Sequence, residues 1–185
     1  GIEVYPNFEE AYSQNPDLTV IATPTSNHCN DIIYSAERGV DVFVEKPGAV
    51  NSKEARRIVD AVKANKIEFF ISYQRRFHPM IETFNTIRSK EGMGKIISLE
   101  INVNSYVPFW HPYEDFRNLY ACRKDLGGGV LKTEIHEIDL LNWLFGPPKK
   151  IQAEGGCYGP FALDVEDTAN LILEYDEFVA KINLC

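Results

Sequence analysis

Long apolar runs are missing from this chain of 185 residues. The longest are a few residues, against the roughly 20 that a membrane-spanning helix needs. Positive charge is short too: 19 Lys and Arg stand against 27 Asp and Glu, a net charge of −8. That balance argues against a general nucleic-acid or anionic-membrane partner and leaves room for a local basic pocket. Cysteine is sparse. Cys29, Cys122, Cys157 and Cys185 form no C-x-x-C and no zinc-finger spacing with histidine, so no metal site is expected. They read as reduced packing residues of a cytosolic protein. The N-terminal Gly1–Tyr5 has neither a basic nor an apolar leader segment, and no N-x-S/T sequon occurs. There are no internal repeats. There is also no G-x-G-x-x-G turn. Gly127-Gly128-Gly129 does not replace it, because a lysine-bearing loop precedes it where a strand would be required.

What is present reads as strand–helix–strand–helix–strand over the first 76 residues. Leu18–Ala22, Asp41–Val44 and Ile67–Ser72 are short β-prone runs. Between them lie a helix from Ser26 to Arg38, stopped by Gly39, and a helix behind Asn51 and Glu54 with Ala55, Ile58, Val59 and Val62 at helical spacing. Asn7 with Glu10, and Asn51 with Glu54, have the spacing of capping boxes. Ile2–Tyr5 reads as one more short strand, an orphan without a neighbour. Alternation of this kind with short connections predicts a parallel, doubly wound sheet with right-handed crossovers. After Arg76 the pattern changes. A helix over 79–90 precedes Gly92 and Gly94, and Lys95–Tyr106 alternates like a strand with one wet face. An aromatic and charged loop follows, then a helix from Val130 to Phe145, closed by Gly146-Pro147-Pro148. Lys150–Tyr158, Thr168–Tyr175 and Phe178–Leu184 read as strands. The expected division is therefore 1–76, half of a doubly wound parallel sheet, and 77–185, part of an α/β domain with a mostly antiparallel sheet. Both ends read as cut, which points to a piece of a longer protein.

Two strand ends carry the first chemical signal. Ligands bind at the carboxyl edge of open α/β sheets. One strand here ends in Thr23-Pro24 and the next in Glu45-Lys46-Pro47. A lysine in that place can act as acid, base or clamp. On the helix after Gly129, Thr133, His136, Asp139, Leu140 and Trp143 follow steps of three and four along one stripe. Singly, His136 reads as a core histidine partnered by Asp139, and Lys46 as a solvated lysine beside a turn. Together they read otherwise. Ala-Thr-Pro-Thr-Ser-Asn-His (22–28), Glu-Lys-Pro (45–47), Gln-Arg-Arg-Phe-His-Pro (74–79) and Gly-Gly-Gly…Ile-His-Glu-Ile-Asp (127–139) occur in order. This series, covering essentially the whole chain, resembles the Gfo/Idh/MocA family of NAD(P)-dependent oxidoreductases, which act mainly on sugars and cyclitols.

The resemblance implies the second half of a Rossmann domain and the first half of the domain that follows it. It implies that Lys46 lies beside the nicotinamide and the substrate hydroxyl, and that His136 is the proton acceptor or a substrate contact. Thr23, Pro24, Ser26, His28, Glu45, Lys46, Pro47 and Arg76 would line NAD or NADP, and the Lys46–Pro47 peptide would be cis. Trp110, Tyr113, Arg117, Arg123 and Thr133 would join Lys46 and His136 around a sugar-like substrate. The full-length protein would be a homo-oligomer. Many family members carry an aspartate three or four residues before the histidine, where this chain has Thr133 and Lys132. A carboxylate would orient the imidazole and favour its charged form; threonine offers only a hydrogen bond. Two alternatives share the scaffold: an NAD-assisted lyase or glycosidase, and a non-catalytic binding protein. The isolated chain, with an apolar strand edge at Leu18–Ala22, is expected to fold marginally and bind NAD weakly.

Overall fold

The computed structural model describes residues 1–90 and 93–185; Gly92, one of the two glycines expected after the fourth helix, lies outside the described residues. The chain divides into two compact units, Gly1–Ser72 and Tyr73–Cys185.

The first unit holds a three-stranded parallel sheet in the order β1 (Leu18–Ile21), β2 (Asp41–Val44), β3 (Phe69–Ile71). Helix α1 (Phe8–Tyr12) precedes it, α2 (Thr25–Ala36) joins β1 to β2, and α3 (Ser52–Asn65) joins β2 to β3. Both expected caps form. Asn7 accepts from the Glu10 amide at 2.9 Å and donates to the Glu10 carboxylate at 3.0 Å. Asn51 accepts from the amides of Lys53 and Glu54, each at 3.0 Å. The α2 helix closes through Gly39, whose φ of +69° suits a residue without a Cβ. Ile21, Ile32, Ala36, Val42, Val44 and Ile58 make the core. Residues 2–5, expected as a strand, form none; Ile2 and Val4 are exposed and no ladder is offered to them among the described residues. Leu18 and Val20 of β1 are exposed as well.

The second unit begins with a 3₁₀ turn (Gln74–Phe77) and α4 (Pro79–Ser89). Its four-stranded sheet has the order β4 (Ser98–Val103), β7 (Val179–Leu184), β6 (Thr168–Glu174), β5 (Lys150–Gly156). The β5–β6 and β6–β7 ladders are antiparallel, while β4 runs parallel to β7. One face packs Leu171, Leu173, Ala180, Ile182 and Leu184 against Leu141. The helix expected over 130–145 is two helices, α5 (Val130–Thr133) and α6 (Ile135–Phe145). Thr133 Oγ1 donates back to the Gly129 carbonyl at 2.8 Å, a bond to the i−4 carbonyl that bends helices, and Glu134 leaves helical dihedrals at φ −101°, ψ 36°.

Candidate functional site

In the first unit, parallel pairing sets the ends of β1 and β2 side by side, with Ile21 opposite Val44. The residues that leave those ends are then fixed one by one. The Glu45 amide donates to the Ile21 carbonyl at 2.9 Å, and the Ser72 amide beyond β3 donates to Val44 at 2.8 Å. The Lys46–Pro47 peptide is cis. Lys46 is half-buried, and Pro47 and Gly48 are buried. A Cβ on Gly48 would stand 2.8 Å from Ile71 Cδ1, so the main chain there packs directly on β3. Across from it, Thr23 Oγ1 donates to Asp31 at 2.8 Å and can still accept. Ser26 sits half-buried in the first turn of α2, where Pro24 as N-cap supplies no side-chain acceptor. His28 is buried, and each ring nitrogen faces a main-chain carbonyl, Thr23 and Pro47, at 2.8 Å.

In the second unit, His136 is buried in the first turn of α6 with the Tyr73 ring edge-on to it, centroids 6.4 Å apart. A charge network surrounds that turn. Arg76 grips Asp139 with two nitrogens, Nε at 2.8 Å from Oδ2 and Nη2 on Oδ1. Arg75 reaches Glu134 at 3.4 Å and also pairs with the buried Glu137. The Arg76 guanidinium lies over the rings of Tyr73 and Trp143 at 5.1 and 5.7 Å. Hydrogen bonding to Asp139 raises the Arg76 pKa, while burial and then the Asp139 charge hold the Tyr73 hydroxyl above its usual value, so both keep their protons. Arg76, expected at the cofactor, has its planar fork committed to Asp139. Both oxygens of Asp139, read in the sequence as the partner of His136, are engaged by Arg76.

Beside α5, a cavity of about 220 Å³ is walled mainly by apolar groups, among them Trp110, Phe116, Phe161 and Val130, with Thr133 and Glu134 at its helical side. Of the residues expected around a substrate, it gathers Trp110 and Thr133. Tyr113, Arg117 and Arg123 pair locally on the loop: Arg117 with Asp115 at 3.2 Å, Arg123 with Asp125, and Tyr113 Oη with His111 at 2.7 Å. Burial, followed by the Asp115 charge, pushes the Cys122 thiol up in the cavity wall. The Gly127–Gly129 turn lets the chain pass close: a Cβ on Gly128 would lie 2.6 Å from the Ala121 carbonyl oxygen, and one on Gly129 would meet the Glu166 carboxylate. Glu166 accepts from the Val130 amide through its main chain and from the Leu131 amide through its side chain. Sequence reasoning did not single out Arg75, Glu137 or Glu166. Arg75 and Glu137 stood inside the motifs at 74–79 and 127–139 without an assigned role, and Glu166 carried no local signal.

The first unit brings hydroxyls at Thr23 and Ser26, a carboxylate at Glu45 and a cation at Lys46 to the carboxyl edge of a parallel sheet, groups whose chemistry would suit the amide and ribose of a nicotinamide nucleotide. The pyrophosphate-gripping turn is not among residues 1–185. Among the described residues, no group of three or more His, Cys, Asp or Glu gathers where a metal ion could be held, and no helix is long and apolar enough to cross a membrane.

Residues 1–73 match the family model described as "Oxidoreductase family, NAD-binding Rossmann fold", and residues 83–185 the "GFO/IDH/MocA C-terminal domain". The chain belongs to the Gfo/Idh/MocA oxidoreductase family. It is 30% identical, over 94% of its length, to 52% of the scyllo-inositol 2-dehydrogenase (NADP(+)) IolU of Bacillus subtilis. It is 25% identical, over 94% of its length, to 50% of the trans-1,2-dihydrobenzene-1,2-diol dehydrogenase of Bos taurus. In fold it resembles the WlbA dehydrogenase of Bordetella pertussis, solved with NADH and UDP-GlcNAcA, at TM-score 0.85 and 23% identity over 97% of this chain and 52% of that one. The chain spans about half the length of these relatives.

Proposed function

We propose that this chain is part of an NAD- or NADP-dependent dehydrogenase that oxidises or forms a CH–OH group of a sugar, sugar derivative or cyclitol. The observation that carries the reading is the fixed Glu45-Lys46-Pro47 corner beside Thr23 at the carboxyl edge of a parallel sheet, in a chain of this family. Bound there, the nicotinamide would accept or give the hydride. Lys46 or His136 takes the hydroxyl proton as the carbon is oxidised and returns it in the reverse direction. Thr23, Ser26 and Glu45 hold the cofactor side. Trp110 and Thr133 contribute to the substrate side, while Tyr113, Arg117 and Arg123 would have to leave their local partners to reach an acidic or phosphorylated sugar. The reading as a sugar or cyclitol enzyme is supported by the inositol dehydrogenase among the relatives. The reducing cytoplasm is supported by four cysteines without a disulfide. Association of copies through the outer sheet face, bearing Glu100, Asn102, Asn170, Lys181 and Asn183, belongs to the same proposal and is checked by light scattering.

The test is reduction of NAD or NADP by the full-length protein on a panel of inositols, neutral sugars and nucleotide sugars. Lys46→Met and His136→Ala are each expected to lower kcat roughly 100- to 10,000-fold with the melting transition retained. Thr133, whose hydroxyl donates to the Gly129 carbonyl, stands where the family resemblance implies a carboxylate, and this favours keeping a second reading. Tight NADH binding without turnover would select a binding protein. Retained cofactor with a non-redox product would select the lyase or glycosidase.

A further inference from the structure

His28 is 1% exposed, at the fourth position of α2. Its Nε2 stands 2.8 Å from the Thr23 carbonyl oxygen and its Nδ1 2.8 Å from the Pro47 carbonyl oxygen. Carbonyls only accept, so each contact is a hydrogen bond when the facing nitrogen carries a proton; a neutral ring serves one and an imidazolium both. With both nitrogens on the main chain, the ring has none to offer a ligand. It spans instead the two loops that leave β1 and β2. The second loop is anchored on either side of Lys46: at residue 45 by the hydrogen bond its amide donates to the Ile21 carbonyl, at residue 47 by His28, and just beyond by the packing of Gly48 on Ile71.

We propose that His28 is a positioning residue, an imidazole brace that fixes the Lys46–Pro47 backbone against Thr23 and thereby sets where the Lys46 amine works. This rests on the dehydrogenase reading of Lys46. Displacement of a reacting group by about 1 Å costs on the order of 100-fold in rate, so a brace one peptide away from the lysine is felt in kcat. Glutamine can donate from one end only and leucine from neither.

The test compares wild type, His28→Gln and His28→Leu in the full-length protein. One readout is the acylation rate of Lys46 in cofactor-free protein, measured by peptide mass spectrometry against the exposed Lys53 and Lys63 of α3. The other is kcat and KM with NAD and substrate. His28→Leu is expected to melt cooperatively, to change the Lys46 rate relative to the reference lysines at least about threefold, and to lower kcat roughly tenfold or more, with a smaller change in KM and with His28→Gln between. A variant that melts lower yet labels Lys46 and turns over like wild type would overturn the brace and leave a core histidine. If wild type itself shows no turnover, the dehydrogenase reading fails, and the labelling rates still decide the brace. If neither variant folds, isotope-labelled histidine in the wild type decides it: at least one slowly exchanging ring proton on His28 is expected, and rapid exchange at both nitrogens contradicts it.

Discussion

At the scale of single residues, the second unit is held by carboxylates that gather main-chain donors. Asp167 takes the amides of Tyr158 and Gly159 at 2.9 and 2.8 Å and the Thr168 hydroxyl at 2.9 Å. Burial pushes its pKa up, but these bonds outweigh it, and the net shift is below the ordinary 3.8. A folded-state pKa below the unfolded one gives stability that is fully present above pH 3.8 and is lost as the pH falls through the folded value. Asp167→Asn is therefore expected to destabilise by about 1–2 kcal/mol at neutral pH. Its gap to wild type should narrow as the pH drops below 3.8. Urea melts of both proteins across that range check it. Lys46, the Thr-Pro corner and His136 could be singled out as candidates in the sequence because each lies in a short run with a family likeness. The partners of Arg75 and Arg76 were not, since Glu134, Glu137 and Asp139 lie about 60 residues away and only tertiary folding joins them.

At the scale of elements, local chemistry decides where helices begin. Asn51 serves two first-turn amides of α3, and Asn51→Ala is expected to cost about 1 kcal/mol, read as a lower melting temperature with an unchanged circular-dichroism shape. Such caps are written in four consecutive residues, which is why both asparagine N-caps could be read in advance. The break at Glu134 could not. Helical periodicity runs unbroken through it, and the break coincides with the Thr133 hydroxyl turning back onto the Gly129 carbonyl. The parallel partner of β4 was hidden for a different reason. Alternation over residues 95–106 fixes which side chains face inward but not which strand, 80 residues later, will lie beside it. Residues 2–5 show the converse: β-prone residues without a ladder to join stay irregular.

At the scale of the whole molecule, two separate cores support two units. The first unit supplies the strand-end corner but not the turn that grips a pyrophosphate, and it leaves Leu18 and Val20 of β1 exposed. Residues 1–185 produced alone are accordingly expected to bind NADH at least tenfold more weakly than the full-length protein. Fluorescence titration of both checks this, and equal affinity would mean that the corner suffices. The measurement that bears most directly on function is NAD or NADP reduction by the full-length protein over inositols, neutral sugars and nucleotide sugars, run beside Lys46→Met. Hydroxyl-dependent reduction that collapses in Lys46→Met while cofactor binding persists is the predicted result. Reduction unaffected by that substitution, or no reduction of either cofactor on any member of the panel, would contradict it.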